Sequence, residues 1–180
     1  MLDGTTENGV FGAKVMWAYF SDTLDRFRAF AGDPRLNELE AIESFVPRPR
    51  FVWVRRADVV AQAVSWSRAI QGGRWWSRDE RPEGSHLYDR EQIDHLICEA
   101  REHDAAWCSW FAANGIEPLE VRSEELAADP SGVAKRVVAL LGLAAATIAP
   151  QTERQADELN AQWAERYRAE LVTKTAREPT

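Results

Sequence analysis

The segment FVWVRRADVVAQAVSW, residues 51–66, sets Arg55 and Arg56 directly after four apolar residues and just before Asp58, a natural helix cap. In open α/β sheets, ligands bind beyond the carboxyl ends of strands. A helix that starts there adds free N–H groups and the positive end of its dipole. This arrangement suits an anion such as a phosphate. Arg56, at the strand's end just before the capped helix, is the expected main anchor. Ser65, two turns into the predicted helix, can add a hydroxyl. The same residues allow a purely structural reading, in which the arginines pair with Asp58 and surface acids and Ser65 is a small packing residue.

A second candidate is Lys14, inside the apolar run VFGAKVMW at 10–17. A lysine so placed must reach solvent, find a partner or line a site. Gly12 beside it permits a close backbone approach. Trp66, Trp75 and Trp76 bracket the basic loop and suit either core packing or one wall of a sugar or adenine site. His86, His95 and His103 do not fall with carboxylates in ligand order and read as surface residues. Cys98 and Cys108 are two only, ten residues apart on one predicted helix, so neither a disulfide nor structural zinc is expected. No metal is expected.

The elements that must hold these residues follow from patterning. Val10–Trp17 reads as a buried strand, Phe51–Val54 as the clearest strand and Glu117–Val121 as a third. Helices are predicted over 22–30, from Asp33-Pro34 to Phe45, over 59–70, over 89–114, from Asp129-Pro130 to Leu141 and over 152–171. Strands alternating with helices predict an α/β fold with a parallel sheet. The chain is expected to form a single domain over 1–180.

Composition narrows the function classes. The net charge is −7, but residues 48–81 hold eight arginines against three acids, a local +5 that leaves −12 for the rest. This argues against a general nucleic-acid binder and for a local anion site. Arginine outnumbers lysine 19 to 3, which fits bidentate anion contacts as well as a GC-rich coding bias. No apolar run reaches the ~20 residues of a membrane helix, and the start has no signal-peptide pattern. A reduced, cytoplasmic protein is expected. The sequence holds no GxxxxGK[ST] loop and no GxGxxG after a strand.

RRADVVAQAVSW followed by RAIQGGRWW resembles the bacterial trehalose 2-sulfotransferase family, sulfotransferases that use 3′-phosphoadenosine-5′-phosphosulfate (PAPS). NGVFGAKVMW, AWCSWFAANGIEP at 106–118 and ERQADELNAQWAERYRAE at 153–170 resemble further family segments, in the same order. The resemblance implies a P-loop-kinase-like parallel sheet flanked by helices. It implies a sulfuryl transfer from PAPS to a sugar hydroxyl of trehalose or glycolipid type. Arg56 and Ser65 would bind the 3′-phosphate of PAPS, with Arg55 as the alternative arginine. Lys14 would approach the sulfuryl group as the catalytic cation, and Arg154 would touch the nucleotide phosphate. Relatives often have proline after the strand-end arginine, where this chain has Ala57. The family's glycine-rich 5′-phosphosulfate loop and its carboxylate base have no counterpart before residue 8. A domain incomplete at its N-terminus is therefore expected, with an open strand edge covered by a second copy or a strand-donating partner. The rival expectation is a non-catalytic truncated homologue that binds a nucleotide bisphosphate or a partner subunit.

Overall fold

The computed structural model describes residues 10–72, 86–144 and 158–175. The order is a 3-10 turn Trp17–Tyr19, α1 Phe20–Ala31, α2 Glu38–Phe45, β1 Val52–Arg55, α3 Val59–Gly72, α4 Arg90–Ala113, β2 Leu119–Arg122, α5 Ser123–Ala128, α6 Pro130–Leu140 and α7 Glu158–Thr175. The architecture is mostly helical α/β, with β1 and β2 forming a small parallel sheet flanked by helices. Packing divides the described residues into two compact units. One takes them from Met1–Val52 and Ala105–Leu119, the other from Trp53–Asp104 and Glu120–Thr180.

In the first unit, α1 ends where Gly32 adopts φ 71°, and its N–H closes on the last carbonyls of the helix. The next helix starts at a reciprocal cap: Asn37 Oδ1 accepts the Glu40 N–H at 2.9 Å, and Glu40 accepts the Asn37 N–H at 2.9 Å. This moves the start of α2 beyond the predicted Asp33-Pro34. There, Asp33 instead accepts the Arg35 N–H and pairs with its guanidinium, closing a turn. Helices α1 and α2 pack through Phe27 stacked on Phe45, ring centroids 4.6 Å apart. Trp107, Trp110 and Phe111 of α4 cluster with Trp17, Phe20 and Phe51.

The predicted strand Val10–Trp17 is not formed. Residues 10–16 have no regular structure, and Phe11 packs edge-on against Phe45 instead. An apolar run becomes a strand only where it joins a sheet, and among the described residues the sheet consists of β1 and β2. A Cβ at Gly12 would meet nothing within 4 Å, so no close approach explains that glycine.

In the second unit, Ala63 and Val64 of α3, Ile93, Leu96 and Ile97 of α4, and Trp163, Ala164 and Tyr167 of α7 form one buried cluster. A polar seam crosses it. The buried Ser67 hydroxyl donates to Gln92 Oε1, and Gln71 grips the Leu87 backbone at both N–H and C=O, each at 2.9 Å. Helix α6 follows the Asp129-Pro130 start. Asp129 accepts the Gly132 N–H at 2.8 Å, and a Cβ at Gly132 would lie 2.1 Å from the Asp129 carboxylate, so the cap requires glycine there. The sequence reading did not foresee α5, which follows β2 directly. Among the described residues, no helix is long and apolar enough to cross a membrane.

Candidate functional site

Strand β1 delivers two adjacent arginines, and the structure gives them opposite fates. Side chains alternate along a strand, so Trp53 and Arg55 share a face. The Arg55 guanidinium lies 4.4 Å from the Trp53 ring centroid. It is also held by Asp104 at 3.2 Å and by Glu120 at 3.6 Å. Its charge is therefore matched within the protein. Arg56 is exposed, and its Nη1 makes a long contact to the Ala61 carbonyl at 3.5 Å. In a regular helix that carbonyl also accepts the Ser65 N–H. The Arg56 guanidinium thus lies over the first turn of α3, one turn before Ser65, which is half-buried.

The start of α3 is heavily used. Asp58 caps it: its Oδ1 accepts the Ala61 N–H at 3.0 Å, and its backbone carbonyl accepts the Gln62 N–H. Arg168 of α7 donates to both Asp58 oxygens, at 2.7 and 2.6 Å. Burial alone would push the Asp58 carboxyl up, but the backbone N–H and the Arg168 guanidinium outweigh it and hold it below the ordinary aspartate value. Glu124, two residues past β2, accepts the Ala57 N–H at 3.2 Å, two residues past β1. Burial again opposes ionisation there, and N–H donors from Glu124 itself, Ala57 and Asp58 overcome it, so the net shift is downward. The β1–α3 junction is therefore ringed by Arg56, Arg168, Asp58 and Glu124.

The other expected site residues fare differently. Lys14 is an exposed residue of the irregular segment in the first unit. Arg154, Trp75 and Trp76 lie outside the described residues. Trp66 is half-buried and faces His103, ring centroids 6.2 Å apart. The surface reading of the histidines holds for His95 but not for His103. The two share one stripe of α4 with Glu99 between them, 3.8 Å from each, and His103 is half-buried. Among the described residues, no group of three or more such side chains could hold a metal ion. Cys98 and Cys108 are both exposed and unbridged.

Sequence reasoning missed Glu124 and Arg168. Glu124 had a readable signal. Parallel strands end on the same side, so the residues just past β2 share the edge that holds those just past β1. Arg168 had none, because its partner Asp58 lies 110 residues away in sequence.

Comparison with known proteins shows the family. A family model described as Stf0 sulphotransferase matches residues 1–170. The chain belongs to the Stf0 sulphotransferase family. It is 33% identical over 170 residues to a trehalose 2-sulfotransferase of Mycobacterium tuberculosis (strain ATCC 35801 / TMC 107 / Erdman), covering 93% of this chain and 64% of that protein. It is 33% identical over 169 residues to a trehalose 2-sulfotransferase of Mycolicibacterium smegmatis (strain ATCC 700084 / mc(2)155), covering 92% and 63%. The chain thus spans a little under two thirds of the length of these relatives. The matched region includes all of the β1–α3 junction.

Proposed function

We propose that this chain supplies the nucleotide-phosphate half of a sulfotransferase that moves a sulfuryl group from PAPS to a hydroxyl of trehalose or a related sugar. The carrying observation is the division of labour between the two arginines. Arg55 is matched by Asp104 and Glu120, whereas Arg56 is exposed and reaches the Ala61 carbonyl in the first turn of α3. A dianionic 3′-phosphate suits such a place, because a guanidinium lies at the first turn of a helix that carries the Ser65 hydroxyl one turn further on.

When bound, PAPS supplies an activated sulfuryl group whose S–O bond to the phosphate breaks as the sugar oxygen attacks, releasing adenosine 3′,5′-bisphosphate. Arg56 and Ser65 act at the far end of that nucleotide. They hold the 3′-phosphate and so orient the donor, a contribution of position rather than of bond-making. Asp58 fixes the start of α3 and with it the spacing of Arg56 to Ser65. Lys14 is proposed as the cation that approaches the sulfuryl group, and Arg154 as a further nucleotide contact. The acceptor class rests on the names of the two relatives.

Calorimetry tests the reading. The parent should bind adenosine 3′,5′-bisphosphate more tightly than adenosine 5′-monophosphate, which lacks the 3′-phosphate. Arg56→Ala should erase that preference. Equal affinity for both nucleotides in the parent would remove the proposed site.

A further inference from the structure

Arg56 reaches Ala61 of α3 directly, and Arg168 is joined to the same residue through Asp58. Arg56 Nη1 lies 3.5 Å from the Ala61 carbonyl. Arg168 Nη2 holds Asp58 Oδ1, and that oxygen accepts the Ala61 N–H. Both guanidinium groups therefore end at the first turn of α3, although one comes from β1 and the other from α7. The Arg168–Asp58 pair is also half-exposed, with side-chain exposures of 46% and 44%. Pairs so open to water contribute little net stability and exchange readily for a better partner. A phosphate carrying two charges is a better partner than one carboxylate already occupied by a backbone N–H.

We propose that Arg168 is a second cation of the nucleotide-phosphate site, held by Asp58 in the ligand-free protein and transferred to the phosphate on binding. This rests on the Arg56 reading above. Arg168 rotates from Asp58 to the incoming phosphate, while Asp58 keeps its bond to the Ala61 N–H, so α3 stays capped throughout. The exchange couples α7 to the nucleotide. The C-terminal helix is docked on α3 through Trp163, Ala164 and Tyr167, which holds Arg168 within reach of the site whether or not ligand is present.

The test titrates adenosine 3′,5′-bisphosphate into the full 180-residue chain and four variants at fixed ionic strength. Arg168→Ala should weaken binding about tenfold, the loss of one charge-assisted phosphate contact. Asp58→Asn keeps an equivalent helix cap but releases Arg168, and should tighten binding about threefold. The double variant should match Arg168→Ala, because the gain requires the arginine. A gain in Asp58→Asn cannot come from misfolding, so it holds even if Arg168→Ala is less stable. The proposal falls if Asp58→Asn binds no more tightly than the parent, or if Arg168→Ala stays within about twofold of it. Arg168 would then be only a tie between α7 and α3. Arg56→Ala, the fourth variant, separates the two readings. If it leaves affinity unchanged, the site itself is wrong; if it weakens binding while the Arg168 and Asp58 variants do not respond, only the exchange is wrong.

Discussion

Glu124 accepts the Ala57 N–H at 3.2 Å, so a carboxylate from the end of β2 rests against the backbone between β1 and α3. This is the edge where a bound anion is proposed, and the molecule already places a negative group there. Glu124 thus helps to hold the junction, and on the proposed reading it would oppose the ligand.

The two effects separate by mutation. Glu124→Gln keeps an acceptor for the Ala57 N–H but removes the charge. It should tighten adenosine 3′,5′-bisphosphate binding and lower stability by no more than about 0.5 kcal/mol, since the carboxylate is exposed and its charge is screened by water. The pH dependence has a fixed sign. The folded carboxyl lies below the ordinary glutamate value, so its contribution is present above that value and fades as pH falls through the lower folded one. Urea unfolding of the parent and Glu124→Gln should therefore converge in acid. Parallel curves down to the lowest pH would contradict the assignment.

Arg55 and Arg56 should respond in opposite ways. Arg56→Ala should weaken nucleotide binding by about 1.5–3 kcal/mol, the range for a lost charged hydrogen bond, and leave the thermal midpoint nearly unchanged. Arg55→Ala removes the Trp53 stacking and the Asp104 and Glu120 pairs. It should cost about 1 kcal/mol of stability with little loss of affinity, since exposed ion pairs and cation–π contacts are individually weak. Melting curves and calorimetry on both variants would show it, and a reversed pattern would exchange the roles of the two arginines.

This contrast also shows where the sequence was legible. FVWV, Asp58 and the twin arginines are contiguous, so strand, cap and charge could be read from one window. Which arginine stays available depends on Asp104, 49 residues away on α4, and on Glu120 of β2. No local pattern encodes those partners. VFGAKVMW failed for a related reason. Its apolar content was read correctly, but a strand also needs a neighbouring strand, and the residues themselves cannot supply one. The start of α2 was misplaced because proline marked an earlier turn, while the Asn37–Glu40 capping box three residues further on set the true beginning.

Helix α7 is secured by two tyrosines whose hydroxyls point at acids. Tyr88 donates to Glu170 at 3.0 Å, and Tyr167 donates to Asp94. Burial, then the hydrogen bond and charge of the facing carboxylate, push both phenols up to about 12 from 10.0. A raised phenol value stabilises the fold fully below pH 10, and the contribution is lost as pH rises from 10 toward 12. The parent should lose thermal stability across that interval. A Tyr88→Phe, Tyr167→Phe double variant should be less stable near neutral pH but show a shallower alkaline decline. Equal slopes in the two proteins would show that these hydroxyls do not hold α7.

The last prediction concerns the sheet. Val52 and Val54 of β1 are 37% and 58% exposed, although parallel strands are normally covered on both faces. Among the described residues β1 pairs with β2 alone, and its two valines stand exposed at the edge of that small sheet. Such an edge is a template for another strand, and neither Val52 nor Val54 carries a charge to discourage it. The purified chain should therefore self-associate through β1, with an apparent mass that rises with concentration in light scattering. Val54→Lys places a charge on that strand and should shift the population toward monomer without lowering the thermal midpoint by more than about 1 kcal/mol equivalent, since the side chain it replaces is mostly in water. A parent that stays monodisperse at micromolar concentration and melts cooperatively above about 55 °C would show instead that β1 is closed within a single copy.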